Sequence, residues 1–294
     1  MKRAYLEFNN VTKFYGKIQA LKNVSLQVEP GERLAILGSN GAGKSTFMSL
    51  ASGIRPHDSG NITLFGGEAG SKAAKQRMRI LPQELSFPPQ LKVEEILKLI
   101  AAHYDHFDFA KLVHDMRLES LLKRKTHQLS GGQRKRVGIV ATLIGSPDLA
   151  MLDEPTANID LTGRELVYEI LQDYLRQEGK SLIFSSHQMQ EVEYLADRIV
   201  VLRSGEVAAS GSTEEIKAEY GLKKICFRSQ LPDLNIPSAR DLTRHGDMVT
   251  LLGRNSDQML KEVIAKDPNA NAISVSDSSL DEIFIKLWNA ENVN

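Results

Sequence analysis

Residues Gly38-Ser39-Asn40-Gly41-Ala42-Gly43-Lys44-Ser45 place three glycines, a lysine and a hydroxyl in the spacing G-x-x-x-x-G-K-[ST]. That combination suits the binding of phosphate. Successive backbone N–H groups of such a loop form a concave anion site, and the N-terminus of a following helix reinforces it. Glycine serves where the backbone must approach phosphate closely or take a positive φ. Lys44 can reach the β- and γ-phosphates of a nucleotide, the Ser45 hydroxyl can ligate Mg²⁺, and Thr46 adds support. A glycine-rich turn with no ligand is the plainer alternative.

Two further groupings lie downstream. Asp153-Glu154 closes the apolar run Leu149-Ala150-Met151-Leu152. An unpaired carboxylate at a buried strand end is costly, and a metal ion removes that cost. Asp153 is therefore read as a Mg²⁺ ligand acting through water, with a helix-capping acid pair as the bland alternative. Leu129-Ser130-Gly131-Gly132-Gln133 opens a helix running to about Ile144, so Ser130, Gly131 and Gly132 offer a second helix N-terminus to an anion.

Together these motifs resemble the ATP-binding cassette (ABC) family, whose signature reads LSGGQ, over roughly residues 4–220. The resemblance implies ATP and Mg²⁺ as ligands and Glu154 as the general base that orients the attacking water. It implies that His187, closing Ser185-Ser186-His187, contacts the γ-phosphate and helps fix Glu154. Gln83, in Leu81-Pro82-Gln83-Glu84, takes the place of a glutamine that reaches the metal and the water. Tyr15 stands where the family stacks an aromatic on adenine; Phe14 is its rival, and Tyr15 as core filler stays open. The signature would clamp the γ-phosphate held by a second cassette, in a homodimer or a paired subunit arranged head-to-tail. Asp160, in Ala157-Asn158-Ile159-Asp160, resembles the aspartate that crosses such an interface, and it also suits the N-cap of a helix beginning near Leu161. Ile159 departs from the family's more frequent leucine.

The elements that must position these groups follow from pattern. Tyr5–Phe8 and Val24–Val28 alternate with period two and predict antiparallel strands. Arg33–Leu37 predicts a buried strand feeding the glycine loop, and Lys44–Ser52 a helix. Residues 92–145 carry mostly helical spacing. Strands Leu149–Leu152 and Leu182–Ser185 alternate with a helix over Arg164–Gln177, which predicts a mostly parallel sheet covered by helices. Ligands of such a sheet bind beyond the carboxyl ends of its strands, where Gly38, Asp153 and His187 converge. The expected fold is thus α/β, a P-loop NTPase with an antiparallel β subdomain and a helical subdomain at about 84–145. This domain spans 1–220. Residues 221–294 predict a small α+β appendage with strands at Ile225–Phe227, Met248–Leu252 and Ala272–Val275, and helices at Asp257–Ala265 and Ser279–Trp288. Leu280, Ile283, Phe284 and Trp288 supply the last helix's apolar face.

Composition narrows the function. The 294 residues carry 37 basic and 37 acidic side chains, so no direct nucleic-acid partner is expected. The one cysteine, Cys226, allows no internal disulfide and fits a reducing compartment. The N-terminus meets Glu7 before any apolar signal region forms. Val137–Gly145, the most apolar stretch, reaches about half of the ~20 residues a spanning helix needs. The chain is expected to be soluble and to serve a membrane from its cytoplasmic face through transmembrane permease subunits. His103 and His106 share helical spacing without a third ligand. Ser278–Phe284 resembles the ending common in ATPases of ABC-2-type exporters. The expected function is ATP hydrolysis powering export through separate transmembrane subunits. The alternatives are an importer ATPase, a soluble cassette ATPase acting on nucleic acid or ribosomes, and a non-catalytic regulatory module.

Overall fold

The N-terminal alternation extends beyond its expected ends, into β1 (Leu6–Tyr15) and β2 (Ile18–Val28), which pair antiparallel. After the turn at Gly31 come β3 (Arg33–Leu37), α1 (Lys44–Ala51), β4 (Ser59–Leu64), β5 (Gly67–Glu68), α2 (Lys72–Arg77) and β6 (Met78–Leu81). A helical segment follows, α3 (Val93–Ala101), α4 (Ala110–Asp115) and α5 (Gly131–Leu143), with short 3-10 turns at Glu119–Leu121 and Thr126–Gln128. The chain then alternates through β7 (Leu149–Asp153), α6 (Leu161–Leu175), β8 (Ser181–Ser185), α7 (Met189–Leu195), β9 (Arg198–Arg203) and β10 (Glu206–Gly211). This computed structural model describes residues 3–104 and 109–289. His106 lies outside the described residues, and so does the side chain of Trp288.

Two sheets result. One has the order β2-β1-β4-β5; the other has the order β10-β9-β3-β8-β7-β6, parallel from β9 to β6. Strand β7 is buried at every residue, as the apolar run before Asp153 requires. Phe8 of β1 stacks on Phe47 of α1 at 4.6 Å between centroids, so the antiparallel sheet packs directly on the helix that leaves the glycine loop. The four strands β3, β8, β7 and β6 stand side by side. Their C-terminal ends release Gly38, His187, Asp153-Glu154 and Gln83 in that order across the sheet.

The chain divides into two compact units, residues 1–210 and 211–294. In the second, α8 (Thr213–Tyr220) precedes β11 (Lys223–Arg228), β12 (Asp241–His245), β13 (Met248–Gly253), α9 (Ser256–Lys266), β14 (Asn271–Asp277) and α10 (Leu280–Asn289). Its sheet runs β12-β13-β11-β14, antiparallel throughout. Ile225, Phe227, Val249 and Leu251 bury one face against Met259 and Val263 of α9. Helix α8 packs on α10 and buries Ile216, so it belongs to this unit, which begins at Gly211 where the pattern placed the boundary after 220.

Candidate functional site

Helix α1 begins at Gly43, whose φ of 109° is left-handed and whose missing Cβ would lie 2.7 Å from the Ala20 carbonyl oxygen. No other residue fits there. The same glycine leaves α1 without a side-chain cap, so its first N–H groups face the loop's hollow. A cavity of about 760 Å³ opens there, walled by Asn40, Gly41, Gly43, Lys44, Ser45, Thr46, Gln83 and Glu154, with Ile18–Ala20 of β2 on the far side. Gly38 and Ala42 are buried and do not line it, nor does the exposed Ser39. Lys44 Nζ donates to the carbonyls of Gly38 at 2.8 Å and Ser39 at 3.2 Å. Burial lowers the Lys44 ammonium from its ordinary pKa, while Glu154 and Asp153 oppose that shift.

Across the cavity Glu154 is held from both sides. His187 Nε2 donates to its Oε1 at 2.6 Å, and Gln83 Nε2 donates to its Oε2 at 3.3 Å. Glu154 itself takes a left-handed φ of 51°, uncommon for a residue with a Cβ, which turns the chain sharply at the end of β7. Its N–H donates to Ser185 Oγ at 3.0 Å, and Ser185 Oγ donates to Asp153 Oδ1 at 2.5 Å. Asp153 is 4% exposed, so its remaining carboxylate acceptors have little access to water. Among the described residues no three His, Cys, Asp or Glu side chains group to hold a metal by themselves. Ser45, Gln83 and Asp153 supply the hard oxygen donors that suit Mg²⁺, a cation usually completed by phosphate and water rather than by a protein cage.

Ser130, Gly131, Gly132 and Asp160 gather elsewhere, outside the walls of this cavity. Ser130 caps α5 reciprocally: its Oγ accepts from Gln133 N–H at 3.2 Å, and Gln133 Oε1 accepts from Ser130 N–H at 3.1 Å. A Cβ on Gly131 would meet nothing within 4 Å, whereas one on Gly132 would lie 2.7 Å from the Asn158 carbonyl oxygen. The signature and the 157–160 loop therefore touch backbone to backbone. Asp160 is exposed and caps α6, its Oδ1 accepting from Gly163 N–H at 2.9 Å.

Tyr15 and Phe14 are 38% and 45% exposed, which removes the core-filler reading of Tyr15. Neither lines the cavity. Arg55 and Lys13 approach the Tyr15 ring at 5.6 Å and 5.7 Å from its centroid. Two residues were not singled out by sequence. Lys135 of α5, 6% exposed, donates to the Asp153 carbonyl at 3.0 Å and the Gln83 carbonyl at 3.3 Å, joining the signature helix to both loops. Glu191 of α7 is 1% exposed. Its signal was a charge in phase with the apolar Leu195 one turn on; Lys135 left none.

The sequence profile of the ABC transporter family matches residues 21–157. The linearmycin resistance ATP-binding protein LnrL of Bacillus subtilis (strain 168) is 38% identical over 224 residues, covering 74% of this chain and 72% of that one. The chain belongs to the ABC transporter family. A Nod factor export ATP-binding protein I from Cupriavidus metallidurans is 34% identical over 227 residues, 74% of this chain and 75% of that protein. Among solved structures, an ATP-binding subunit of an ABC transporter superposes with a TM-score of 0.68 at 26% identity, over 74% of this chain and 93% of the other. A dimeric ATP-binding cassette in a post-hydrolysis state with ADP and Pi gives 0.65 at 25% identity, over 70% and 98%. As an ABC cassette the chain binds ATP, hydrolyses it, and is the ATP-binding subunit of a transporter. ABC subunits of this kind work with transmembrane permeases, and among the described residues no helix is long and apolar enough to cross a membrane.

Proposed function

We propose that the chain powers export through separate transmembrane subunits, working at the cytoplasmic face of the membrane as one of two cassettes paired head-to-tail. The observation that carries the chemistry is Glu154, suspended between His187 and Gln83 at the mouth of the loop that holds Lys44. In this reading the cavity takes the triphosphate against the N-terminus of α1, with Lys44 turned from its carbonyl partners to the β- and γ-phosphates. Ser45, Gln83 and Asp153 would hold Mg²⁺, which would supply charge neutralisation to the phosphate oxygens. Glu154 orients a water and accepts its proton as the oxygen attacks the γ-phosphorus and ADP leaves. His187 fixes the Glu154 carboxylate in the orientation that reaction needs. Ser130, Gly131 and Gly132 meet the γ-phosphate held by the second cassette, with Asp160 beside them at that interface.

Export is supported by the relative named for Nod factor export and by the ending Ser278–Phe284. A largely apolar groove of about 890 Å³, with Leu81, Leu85, Phe87, Ile100 and Tyr104 in its walls, opens beside the Gln83 segment. It offers the membrane partner a contact that senses the site. Residues 211–294 act as an accessory unit, since none of the phosphate or base positions falls there. Glu154→Gln is expected to lower turnover by ~10²–10⁴-fold while ATP binding persists; unchanged turnover removes Glu154 from its role. For direction, inside-out vesicles holding the assembled transporter should accumulate cargo only with ATP.

A further inference from the structure

Glu191 is a third carboxyl in this neighbourhood, beside Asp153 and Glu154, with no part in the scheme above. It lies on α7, one turn beyond His187, and is 1% exposed. Its Oε2 accepts from Ser186 Oγ, while Oε1 makes no hydrogen bond of ordinary geometry among the described residues, the Thr156 hydroxyl lying near enough only to favour the charged form. Natural proteins rarely leave a buried acceptor unmet without a functional reason. Burial pushes the carboxyl up to about 7; the Ser186 and Thr156 hydroxyls and the Arg164 guanidinium counter that push, and Glu154 adds to it.

The contacts around Glu191 run toward the chemistry. Ser186 Oγ also accepts from Gln188 N–H at 2.9 Å, so both neighbours of His187 are tied to one hydroxyl. Gln188 Oε1 accepts from Arg164 Nη1 at 2.6 Å, and Gln188 Nε2 donates to Thr156 Oγ1 at 3.4 Å. Arg164 Nε donates to the Ile159 carbonyl at 2.9 Å. A continuous chain of polar contacts thus links Glu191 to the turn bearing His187 and onward to the loop before Asp160. The charged and titratable groups acting on it are Lys135 from α5, Arg164 and Tyr168 from α6, and Glu154 from the end of β7.

We propose that Glu191 is a positioning residue for ATP hydrolysis: through Ser186 it sets the turn that presents His187 to Glu154, and its charge state tunes that turn. The inference rests on Glu154 and His187 acting as base and base-orienting group. A neutral Glu191 exchanges hydrogen bonds with Ser186 in either direction. An ionised one only accepts, leaves Oε1 charged and unmet, and sets a second negative charge near Glu154.

Full-length protein carrying Glu191→Ala should lose at least about tenfold in kcat with KM for ATP within about twofold, because the phosphate loop is untouched. Glu191→Gln, which keeps both hydrogen-bonding options, should restore most of kcat. It should also abolish a limb of the pH–rate profile near pH 7. Wild-type kcat in Glu191→Ala overturns the proposal. So does equal loss in both variants with the wild-type pH profile retained, which marks a packing role. If Glu191→Ala does not fold, Ser186→Ala carries the test, since it removes the shared hydroxyl while keeping the bulk of Glu191 in place; it should lower kcat and, by taking a donor from the carboxyl, move the same pH limb upward. Glu154→Gln is run alongside. If that variant still turns over, the reading of the site has failed, whereas a dead Glu154→Gln beside a fully active Glu191→Ala sinks only the inference.

Discussion

The molecule builds two glycine-rich helix N-termini, and it finishes them in opposite ways. At α1 the cap is Gly43, with no side chain to offer, so the N–H groups stay open to an outside acceptor. At α5 the cap is Ser130, locked with Gln133 in a reciprocal pair that leaves the N–H groups of Gly131 and Gly132 beyond its reach. One end depends on a ligand to be complete. The other is complete enough to hold its shape with no ligand, as the proposed meeting with a second cassette's phosphate would need. On the proposed head-to-tail pairing, the difference separates binding, which one chain would perform, from turnover, which would require two.

The largest effects should divide along that line. Lys44→Ala removes the charge at the open end and should weaken ATP binding to a single chain by about 10²-fold, at the scale of ~1.5–3 kcal/mol for a charged hydrogen-bonding group. Ser130→Arg should leave that affinity within about threefold, or ~0.7 kcal/mol, yet suppress ATP-driven pairing and hydrolysis. Calorimetry for binding and light scattering for pairing decide it. Equal loss of binding in both variants breaks the division.

A middle-sized effect tests the packing behind the capped end. Gly132→Ala drives a Cβ to 2.7 Å from the Asn158 carbonyl oxygen, while Gly131→Ala enters open space. The first should cost about 1–3 kcal/mol of stability by overpacking and the second no more than about 0.5 kcal/mol. Matching Tm values for the two variants would show that the signature and the 157–160 loop are not in rigid contact. The smallest effect belongs to the cap itself. Ser130→Ala should cost about 1 kcal/mol, a fall in Tm of about 2–4 °C. A Tm unchanged within error would mean that Gln133 N–H finds another acceptor.

Legibility followed the same physics. The loop 38–45 and the pair Asp153-Glu154 stood out because their chemistry restricts residue type at fixed spacing, and β3, β7 and β8 were marked by unbroken apolar runs. Gln83 had no signal of its own beyond resemblance, since Pro-Gln reads equally as a turn. Lys135 and Ser185 gain their meaning from burial against segments distant in sequence, which no local pattern encodes, and Glu191 offered only a charge in phase with Leu195. Strand β12 was missed because Asp241–His245 is mostly exposed and carries no apolar alternation. Helix α8 groups with the second unit because it packs on α10, a partner some sixty positions on, which the local pattern before residue 220 does not reveal.

The order of strands also sets who can move. Gly38, His187, Glu154 and Gln83 leave neighbouring strands, so their lateral pitch is the spacing of backbone hydrogen bonding, about 4.8 Å per step. Side chains cannot compress that ruler. Three of the four stand on strands gripped from both sides, and Gln83 stands after β6, at the sheet's margin. Of the four, Gln83 is therefore the one the sheet holds least, the residue with a neighbour on only one flank.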